Sequence, residues 1–181
     1  TANANTLTVG GAIGDGGNGY GLTKAGAGTV ALGGVNTQTG TTTLSAGTLT
    51  VNSGATLAAN SAGLVVNAGT LNLNNTAQTV SSLNGSGGTI NLASGHTLTV
   101  NDSGSDSFAG AFGSSGNLTT SGTGNLTLSG NSSGYTGNIM VGGTGTLLAT
   151  GNKTIGGAAG TITVNSGATL ALVLRSTYGA A

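Results

Sequence analysis

The sequence predicts an all-β solenoid, in which short strands stack coil upon coil, and three observations lead to that fold class. Runs of about four residues, such as Thr29–Leu32 and Thr41–Leu44, alternate small or polar side chains with aliphatic ones, as strands with one buried face do. Glycine, asparagine and threonine separate the runs, and 38 of the 181 residues are glycine. Aliphatic residues recur so that three steps make about 20 residues, one coil of three short strands. We therefore expect roughly nine coils and a rod of about 40 Å, at ~4.8 Å per strand.

The composition agrees with this fold class and excludes several others. Hydrophobic residues make up 36% of the chain and the formal net charge is zero, unlike in disordered chains. Strong helix formers are scarce and glutamate is absent, which disfavours helices. The longest apolar run, Leu170–Leu174, is far shorter than the ~20 residues of a membrane-spanning helix. The chain has no cysteine for disulfides or thiolate metal sites.

The chain is organised as one solenoid segment over residues 1–181 with an internal duplication. Repeat cassettes occupy about 6–58 and 97–171, and bridging coils fill 59–96. Residues 161–171 repeat residues 48–58 with one change, from Leu49 to Ile162. The second copy carries extra residues around 150–157, and such insertions usually leave a stacked core intact. Further strands are predicted at 5–9, 48–51, 55–58, 64–66, 70–73, 79–80, 89–92 and 97–100.

The densest parts of the two cassettes are residues 22–49 and 118–147. The first begins Leu-Thr-Lys-Ala-Gly-Ala-Gly-Thr-Val-Ala-Leu and the second Leu-Thr-Thr-Ser-Gly-Thr-Gly-Asn-Leu-Thr-Leu. Both resemble the passenger-associated repeat of bacterial autotransporters, whose pattern is roughly LTKxGxGTLTLSGxNxYTGxTxVxxGTL. The resemblance implies a right-handed parallel β-helix that is extracellular or on the bacterial cell surface, either secreted or anchored to the outer membrane. No signal peptide opens the sequence at Thr1, so an export signal would lie upstream or be already removed.

One glycine-rich stretch fits a nucleotide-binding spacing. Residues 14–19, Gly-Asp-Gly-Gly-Asn-Gly, match G-x-G-x-x-G. A dinucleotide site needs a helix after the glycines to hold the pyrophosphate, and Lys24-Ala25-Gly26-Ala27-Gly28 is no helix. We therefore interpret the match as a loop produced by the high glycine content, and we predict no cofactor.

Three ionisable residues are candidates for metal binding or catalysis. Asp102 and Asp106 lie in an oxygen-rich stretch that resembles a calcium loop, but the spacing departs from the 1-3-5 pattern and no glutamate follows. A solvated loop is the interpretation we favour. His96 is the single histidine and precedes a predicted strand, so we expect an exposed turn residue rather than a catalytic base. No G-x-S-x-G motif accompanies it. We predict no catalytic, cofactor-binding or metal-binding residues.

Polysaccharide lyases and hydrolases built on β-helices are the enzymatic alternative. They need clustered acids, or calcium beside a basic residue. This chain has three acidic and three basic residues, widely scattered, so we predict no enzyme. Basic patches with interleaved aromatic residues are also missing, which excludes nucleic acid as a partner. Asn-x-Ser/Thr sequons are expected from this composition alone, and they occur at Asn74, Asn84, Asn101, Asn117, Asn125, Asn131 and Asn152.

Threonine pairs suggest a second kind of binding surface. Thr6 and Thr8 share one face of their strand, and the same Thr-x-Thr spacing recurs at 48/50, 97/99 and 161/163. Stacked in register, such pairs make flat hydroxyl ladders like those of ice-binding solenoids. Threonine is also a good strand former on an exposed face, and irregular coil lengths argue against one long flat face.

These observations predict a structural and adhesive stalk segment of a bacterial surface or secreted protein. An exterior of Thr, Ser, Asn and Gly can meet glycans or cell surfaces through hydrogen bonds. Both ends read as uncapped, because repeat-like residues open the chain and an apolar run closes it near Arg175. We therefore expect either continuation in a longer chain, which we favour, or end-to-end self-association into filaments. A carbohydrate-binding or polysaccharide-degrading β-helix and an ice-binding solenoid are the alternatives.

Overall fold

The computed structural model describes residues 5–60, 62–74, 77–151, 155 and 160–173. These residues form nineteen β-strands and no helix. The strands are β1 (Thr6–Val9), β2 (Leu22–Lys24), β3 (Thr29–Leu32), β4 (Thr42–Leu44), β5 (Thr48–Val51), β6 (Gly63–Val66), β7 (Thr70–Leu73), β8 (Ala77–Val80), β9 (Ser82–Asn84), β10 (Thr89–Leu92), β11 (Thr97–Val100), β12 (Ser105–Phe108), β13 (Ala111–Ser114), β14 (Asn117–Thr120), β15 (Asn125–Leu128), β16 (Ile139–Val141), β17 (Thr146–Thr150), β18 (Ile162–Val164) and β19 (Thr169–Val173). In this part of the chain no helix has the length and hydropathy to cross a membrane.

The strands stack in parallel as a solenoid of about eight turns with three sides. Side one has the strand order β1-β3-β5-β7-β10-β13, and side two β8-β11-β14-β16-β18. Side three consists of two four-stranded sheets, β2-β4-β6-β9 and β12-β15-β17-β19, linked by a single bridge between Gly85 and Phe108. The all-β class and the stacking of short parallel strands are therefore confirmed, with a turn count close to the expected one.

The coils differ in length although their strands stay in register. Thr29 pairs with Thr48, which is 19 residues further along the chain, whereas Thr6 pairs with Thr29 across 23 residues. The difference is taken up between strands, where glycines adopt backbone conformations closed to other residues. Gly85, with φ +148°, lies so close to the Val66 carbonyl that a Cβ atom would overlap it. Turns can thus vary while the ladders continue.

The core follows from the period-two alternation of the strands. In β5, β7 and β10 every second side chain is buried and the others are half-buried. Leu49, Leu71 and Ile90 are register partners and are fully buried, one above the other. Each such side chain stabilises the fold by about 1.5–3 kcal/mol. The aliphatic interior is therefore a stack of like residues, as the sequence predicted.

Aromatic side chains fill one stretch of the interior. Phe108 and Phe112 have ring centroids 5.5 Å apart, and Phe112 and Tyr135 5.9 Å apart, and all three are buried. Tyr20 differs, because it lies exposed in the loop before β2. Of these four aromatic residues, Phe108, Phe112 and Tyr135 therefore fill the interior of their coils, and Tyr20 lies in a loop.

The predicted strand at 55–58 is wrong. Ala55, Leu57 and Ala58 are buried, but the segment forms no ladder. The Leu57 N–H instead donates to Gln78 Oε1 at 2.7 Å, so a side chain takes the place of a strand partner. The other strand runs predicted at 5–9, 29–32, 41–44, 48–51, 64–66, 70–73, 79–80, 89–92 and 97–100 are confirmed to within one or two residues.

The two cassettes lie on different sides of the solenoid. The first begins with β2 on side three and continues with β3 on side one. The second begins with β14 on side two and continues with β15 on side three. The second copy is therefore rotated by one side relative to the first. Most of the extra residues predicted around 150–157 lie outside the described residues, as do Asn152, Lys153, Leu174 and Arg175.

Candidate functional site

The residues able to do acid–base or metal chemistry do not converge. Among the described residues there is no group of three or more His, Cys, Asp or Glu side chains close enough to hold a metal ion. His96 lies in the turn before β11, as predicted, but it is half-buried rather than exposed. Its backbone N–H donates to the Ala93 carbonyl at 3.0 Å, which closes the turn.

The glycine-rich loop at 14–19 is organised by its own aspartate. The Asp15 carboxylate accepts hydrogen bonds from the N–H groups of Gly17 at 3.0 Å, Tyr20 at 2.9 Å and Thr39 at 3.2 Å, and from the Thr39 hydroxyl at 2.7 Å. These bonds, the Thr39 hydroxyl first, hold the pKa of Asp15 well below its usual range. Strand β2 and no helix follows the loop. The Asp15 carboxylate already accepts hydrogen bonds from backbone N–H groups that a phosphate would need. We therefore assign the loop a structural role.

Asp106 is buried, which overturns the prediction of a solvated loop. It lies in β12, at the same period-two parity as the buried Phe108. Its Oδ2 accepts the Leu83 N–H at 2.7 Å and its Oδ1 accepts the Asn84 amide at 2.6 Å. The carboxylate thus joins β12 to β9, which lies in the preceding coil. The sequence contained a signal for this burial, because Asp106 is two residues from Phe108 and so shares its face of the strand. The surrounding serines and glycines made the strand itself hard to recognise.

Asp102 is also buried, with 6% of its surface exposed. Its Oδ1 accepts the Gly104 N–H at 2.7 Å, and its Oδ2 has no hydrogen-bond partner. The solvated-loop prediction is therefore wrong here too. Asp102 and Asp106 use different partners, so the structure does not bring them together as a calcium loop would.

Lys24 is a buried cation that sequence reasoning missed. Its Nζ donates to the carbonyl oxygens of Ala25 at 3.0 Å, Gly26 at 2.6 Å and Ala46 at 3.0 Å. Lys24 shares the inward parity of Leu22 in β2, which is the signal that was available. The ammonium ties the turn after β2 to the next coil and has a structural role.

Amide side chains replace strands on side two of the first three coils. Asn36 accepts the Ile13 N–H at 2.8 Å and donates to the Thr56 carbonyl at 2.6 Å, so it connects three successive coils. Gln38 donates to the Leu57 carbonyl at 2.9 Å in the same way. We call the segment that follows the second strand of each cassette its arm, residues 33–41 in the first cassette and 129–138 in the second. Ser132 and Tyr135 lie in the arm of the second cassette. Ser132 Oγ accepts the Phe112 N–H at 2.9 Å, and the Tyr135 hydroxyl donates to the Gly116 carbonyl at 2.7 Å.

Side one carries a threonine ladder that contains two of the predicted pairs, 6/8 and 48/50. One outward row follows the strand register through five coils, and a second row beside it contains asparagine as well. Asn91 donates to Asn72 at 2.9 Å, and Asn72 donates to Thr50 at 3.4 Å. The first row is Thr6, Thr29, Thr48, Thr70 and Thr89, and the second is Thr8, Ala31, Thr50, Asn72 and Asn91. The pair at 97/99 and Thr163 belong to side two, so the predicted pairs do not form one ladder.

Two open grooves run over the outward surfaces of the other sides. The groove on side two has a volume of about 330 Å³ and its lining includes Thr119, Asn138 and Met140. The groove on side three has a volume of about 310 Å³ and its lining includes Asn125 and Leu148. Both combine neutral hydrogen-bonding groups with an apolar side chain. Such a lining suits a neutral polar ligand, such as a sugar, better than an ion.

Core positions become exposed in the outermost coils. Leu7 aligns with Val30 and, one coil further, with the buried Leu49, but 61% of its own surface is exposed. At the other end Leu172 aligns with the buried Ala149 and is 48% exposed. The hydrophobic interior of the described residues is therefore uncovered at both ends.

The comparisons with known proteins identify the repeat. Residues 22–51, which contain β2 to β5, match the family described as passenger-associated-transport-repeat. This match confirms the resemblance predicted from residues 22–49. Searches of curated proteins and of solved structures found no significant match.

Proposed function

We propose, from the passenger-associated-transport repeat at residues 22–51, that this chain is a structural and adhesive stalk segment of a bacterial surface or secreted protein, and that it acts without catalysis. One observation carries the proposal. The described residues form a continuous stack of coils whose outward side chains are polar and almost free of charge. Lys24, Asp102 and Asp106 are buried, and Asp15 accepts hydrogen bonds from its own loop and from Thr39.

Adhesion would use hydrogen bonds rather than ionic attraction. The two grooves offer threonine hydroxyls and asparagine amides beside Met140 and Leu148, which is the mixture of polar and apolar contacts that sugars use. With three basic and three acidic residues, the chain has little long-range field to attract a charged partner. Binding to a neutral glycan should therefore change little with salt.

The exposed ends give the segment its mechanical role. A further coil on either end would cover Leu7 or Leu172 and pair the free edge of the outermost strand. A longer parent chain is the occupant that we favour, and a second copy of this chain would fit in the same way. In either arrangement each added coil lengthens the solenoid by ~4.8 Å.

A glycan array combined with a turnover screen on the purified chain tests the adhesive proposal. We expect retention of neutral glycans, no cleavage products and the same retention at low and high salt. Met140→Ala on side two should weaken binding, and Val65→Ala, a half-buried residue of β6 outside both grooves, is the matched control. Cleavage of a polysaccharide, or binding lost steeply with added salt, would refute the proposal.

Sedimentation and electron microscopy test the role of the ends. We expect the chain to self-associate with rising concentration, and Leu7→Lys or Leu172→Lys to suppress this association. Thr8→Lys places the same charge on the outward face next to Leu7 and should leave the association intact. A wild-type chain that stays monomeric at high concentration would contradict the stacking proposal.

The ladder on side one supports ice binding as a second candidate. Five threonines in register span roughly 20 Å at ~4.8 Å spacing. Thermal hysteresis of the purified chain is the measurement, and Thr48→Val is the variant, because valine keeps the shape of threonine without its hydroxyl. Hysteresis that the variant reduces would favour ice binding over the stalk.

A further inference from the structure

The first cassette holds a cation at the turn between its first two strands. The Lys24 ammonium lies beneath this turn, where three backbone carbonyls converge on it at 2.6–3.0 Å. Only 5% of Lys24 is exposed, and among the described residues no acidic side chain forms an ion pair with it. Gly47 leaves the space for the ammonium, because a Cβ atom there would lie 2.6 Å from Nζ. The turn is therefore a site where carbonyl dipoles alone stabilise a buried positive charge.

The second cassette has the same turn without the lysine. Aligned on the glycines, Thr120 takes the place of Lys24, and Gly122 and Gly124 take the places of Gly26 and Gly28. Thr120 has inward parity in β14, but its side chain is too short to reach where the ammonium would be. A cavity of about 10 Å³ remains there, lined by Thr120, both glycines and the carboxylate-bearing Asp102. This volume has room for one particle the size of a water molecule.

Asp102 is the acidic side chain in the lining of this cavity. Its Oδ1 is satisfied by the Gly104 N–H, whereas the buried Oδ2 has no partner. Gly124 keeps the space beside Oδ2 open, because a Cβ atom there would lie 2.7 Å from that oxygen. A buried carboxyl oxygen without a partner is costly, and a bound cation removes most of that cost. The second turn thus combines an unpaired negative charge with the loss of the cation that the first turn contains.

We propose that this cavity binds one small monovalent cation of the size of Na⁺, held by Asp102 Oδ2 and by oxygen atoms of the turn. The ion occupies the position that corresponds to the Lys24 ammonium. One carboxylate neutralises one positive charge, so a monovalent ion fits the charge balance. Ca²⁺ takes six to eight oxygen ligands, usually with several carboxylates, and Asp102 is the single carboxylate in the lining.

Unfolding in matched salts tests the proposal. Urea midpoints of the full chain are measured in NaCl and in choline chloride at equal ionic strength, because choline is too large for the cavity. Above the dissociation constant, the midpoint should rise with the logarithm of the Na⁺ concentration and stay flat in choline chloride. ²³Na line broadening, reversed by excess K⁺ or Li⁺ if either ion fits better, gives a second readout that does not depend on unfolding.

Three variants separate the cation from a general salt effect. Asp102→Asn should abolish both the Na⁺-dependent midpoint and the line broadening. Thr120→Lys should rebuild the turn of the first cassette with its own ammonium, so its midpoint should become independent of Na⁺ and equal or exceed the wild-type value in choline chloride. Thr119→Lys adds the same charge on the outward face of β14 and should keep the Na⁺ response. Equal wild-type midpoints in the two salts, which a bound water would give, or a Na⁺ response retained in Asp102→Asn or Thr120→Lys, would overturn the proposal.

Discussion

Side three contains a seam at which side-chain hydrogen bonds supplement a short backbone ladder. Its two sheets meet between β9 and β12, where the structure has a single bridge, Gly85 to Phe108. Around that bridge Asp106 accepts the Leu83 N–H and the Asn84 amide, and Asn84 Oδ1 accepts the Ser107 N–H at 2.9 Å. The carboxylate therefore does at the seam what ladder hydrogen bonds do elsewhere. We predict that Asp106→Ala destabilises the chain at this seam.

The magnitude follows from the donors that the substitution leaves unpaired. Hydrogen bonds to a charged group contribute about 1.5–3 kcal/mol each, and an unsatisfied buried donor costs about 1–3 kcal/mol. Removing the buried charge itself offsets part of this loss. For the Leu83 N–H and the Asn84 amide together, we expect the free energy of unfolding to fall by about 3 kcal/mol.

Urea denaturation and amide hydrogen exchange measure the effect. Because coils of a repeat protein contact mainly their neighbours, the loss should appear first as faster exchange in β9 and β12, before β3 or β5 respond. Asp106→Asn keeps an acceptor for Leu83 and should lose less stability than Asp106→Ala.

Ser105→Ala is the matched control, because Ser105 lies in the same strand with its side chain exposed. We expect this variant to stay within about 0.5 kcal/mol of the wild type. If Asp106→Ala were equally close to the wild type, or if its faster exchange were spread evenly over the coils, the seam argument would be refuted.

The remaining predictions concern the core, an interior hydroxyl and the loop at 14–19. Leu49→Ala should lower the free energy of unfolding by about 2–5 kcal/mol in urea, whereas Thr50→Ala, outward on the same strand, should cost under about 1 kcal/mol. Tyr135→Phe removes the donor to the Gly116 carbonyl and should cost about 1 kcal/mol in the same assay. Asp15→Asn should be less stable than the wild type at pH 7. Because the folded pKa of Asp15 is lowered, its contribution is complete above the unfolded pKa of about 4 and is lost as the pH falls through the folded pKa. The difference in urea midpoint between this variant and the wild type should therefore shrink in acid, and a difference that grew there would contradict the assignment.

The strands were predictable because period-two alternation and the core position agree in them. Thr48–Val51 and Thr70–Leu73 read as strands and fold as strands, since each aliphatic residue has a like partner one coil away. The arms were not predictable by the same rule. At Asn36 and Gln38 the side-chain amides satisfy backbone groups of the neighbouring coils, so no alternation is required. A side-chain amide in place of a strand partner also explains why residues 55–58 are largely buried without forming a strand.

The buried charges show a different limit of sequence reasoning. Parity alone points Lys24 and Asp106 inward, but hydropathy argues against burying either. Burial becomes acceptable only because carbonyls or N–H groups of adjacent coils lie within reach, and the sequence does not show which turns are stacked. The partners of Lys24 include Ala46, which is 22 residues away, and those of Asp106 include Leu83, which is 23 residues away.

The rotation of the second cassette limits the length of the continuous surface that the repeat can form. A cassette specifies a strand, a glycine turn, a second strand and an arm, but it does not specify the side on which it starts. Coils differ in length, from 19 to 23 residues, and the second copy begins on side two, one side earlier in its coil than the first. The threonine ladder on side one consequently ends at Thr89, where Ala111 takes the next position in β13. A flat repeating ligand would meet only about 20 Å of matched hydroxyls, at ~4.8 Å per strand. Interactions that follow the backbone ladder, such as the addition of a coil at either end, are not interrupted by this rotation, which favours the stalk over the ice-binding surface.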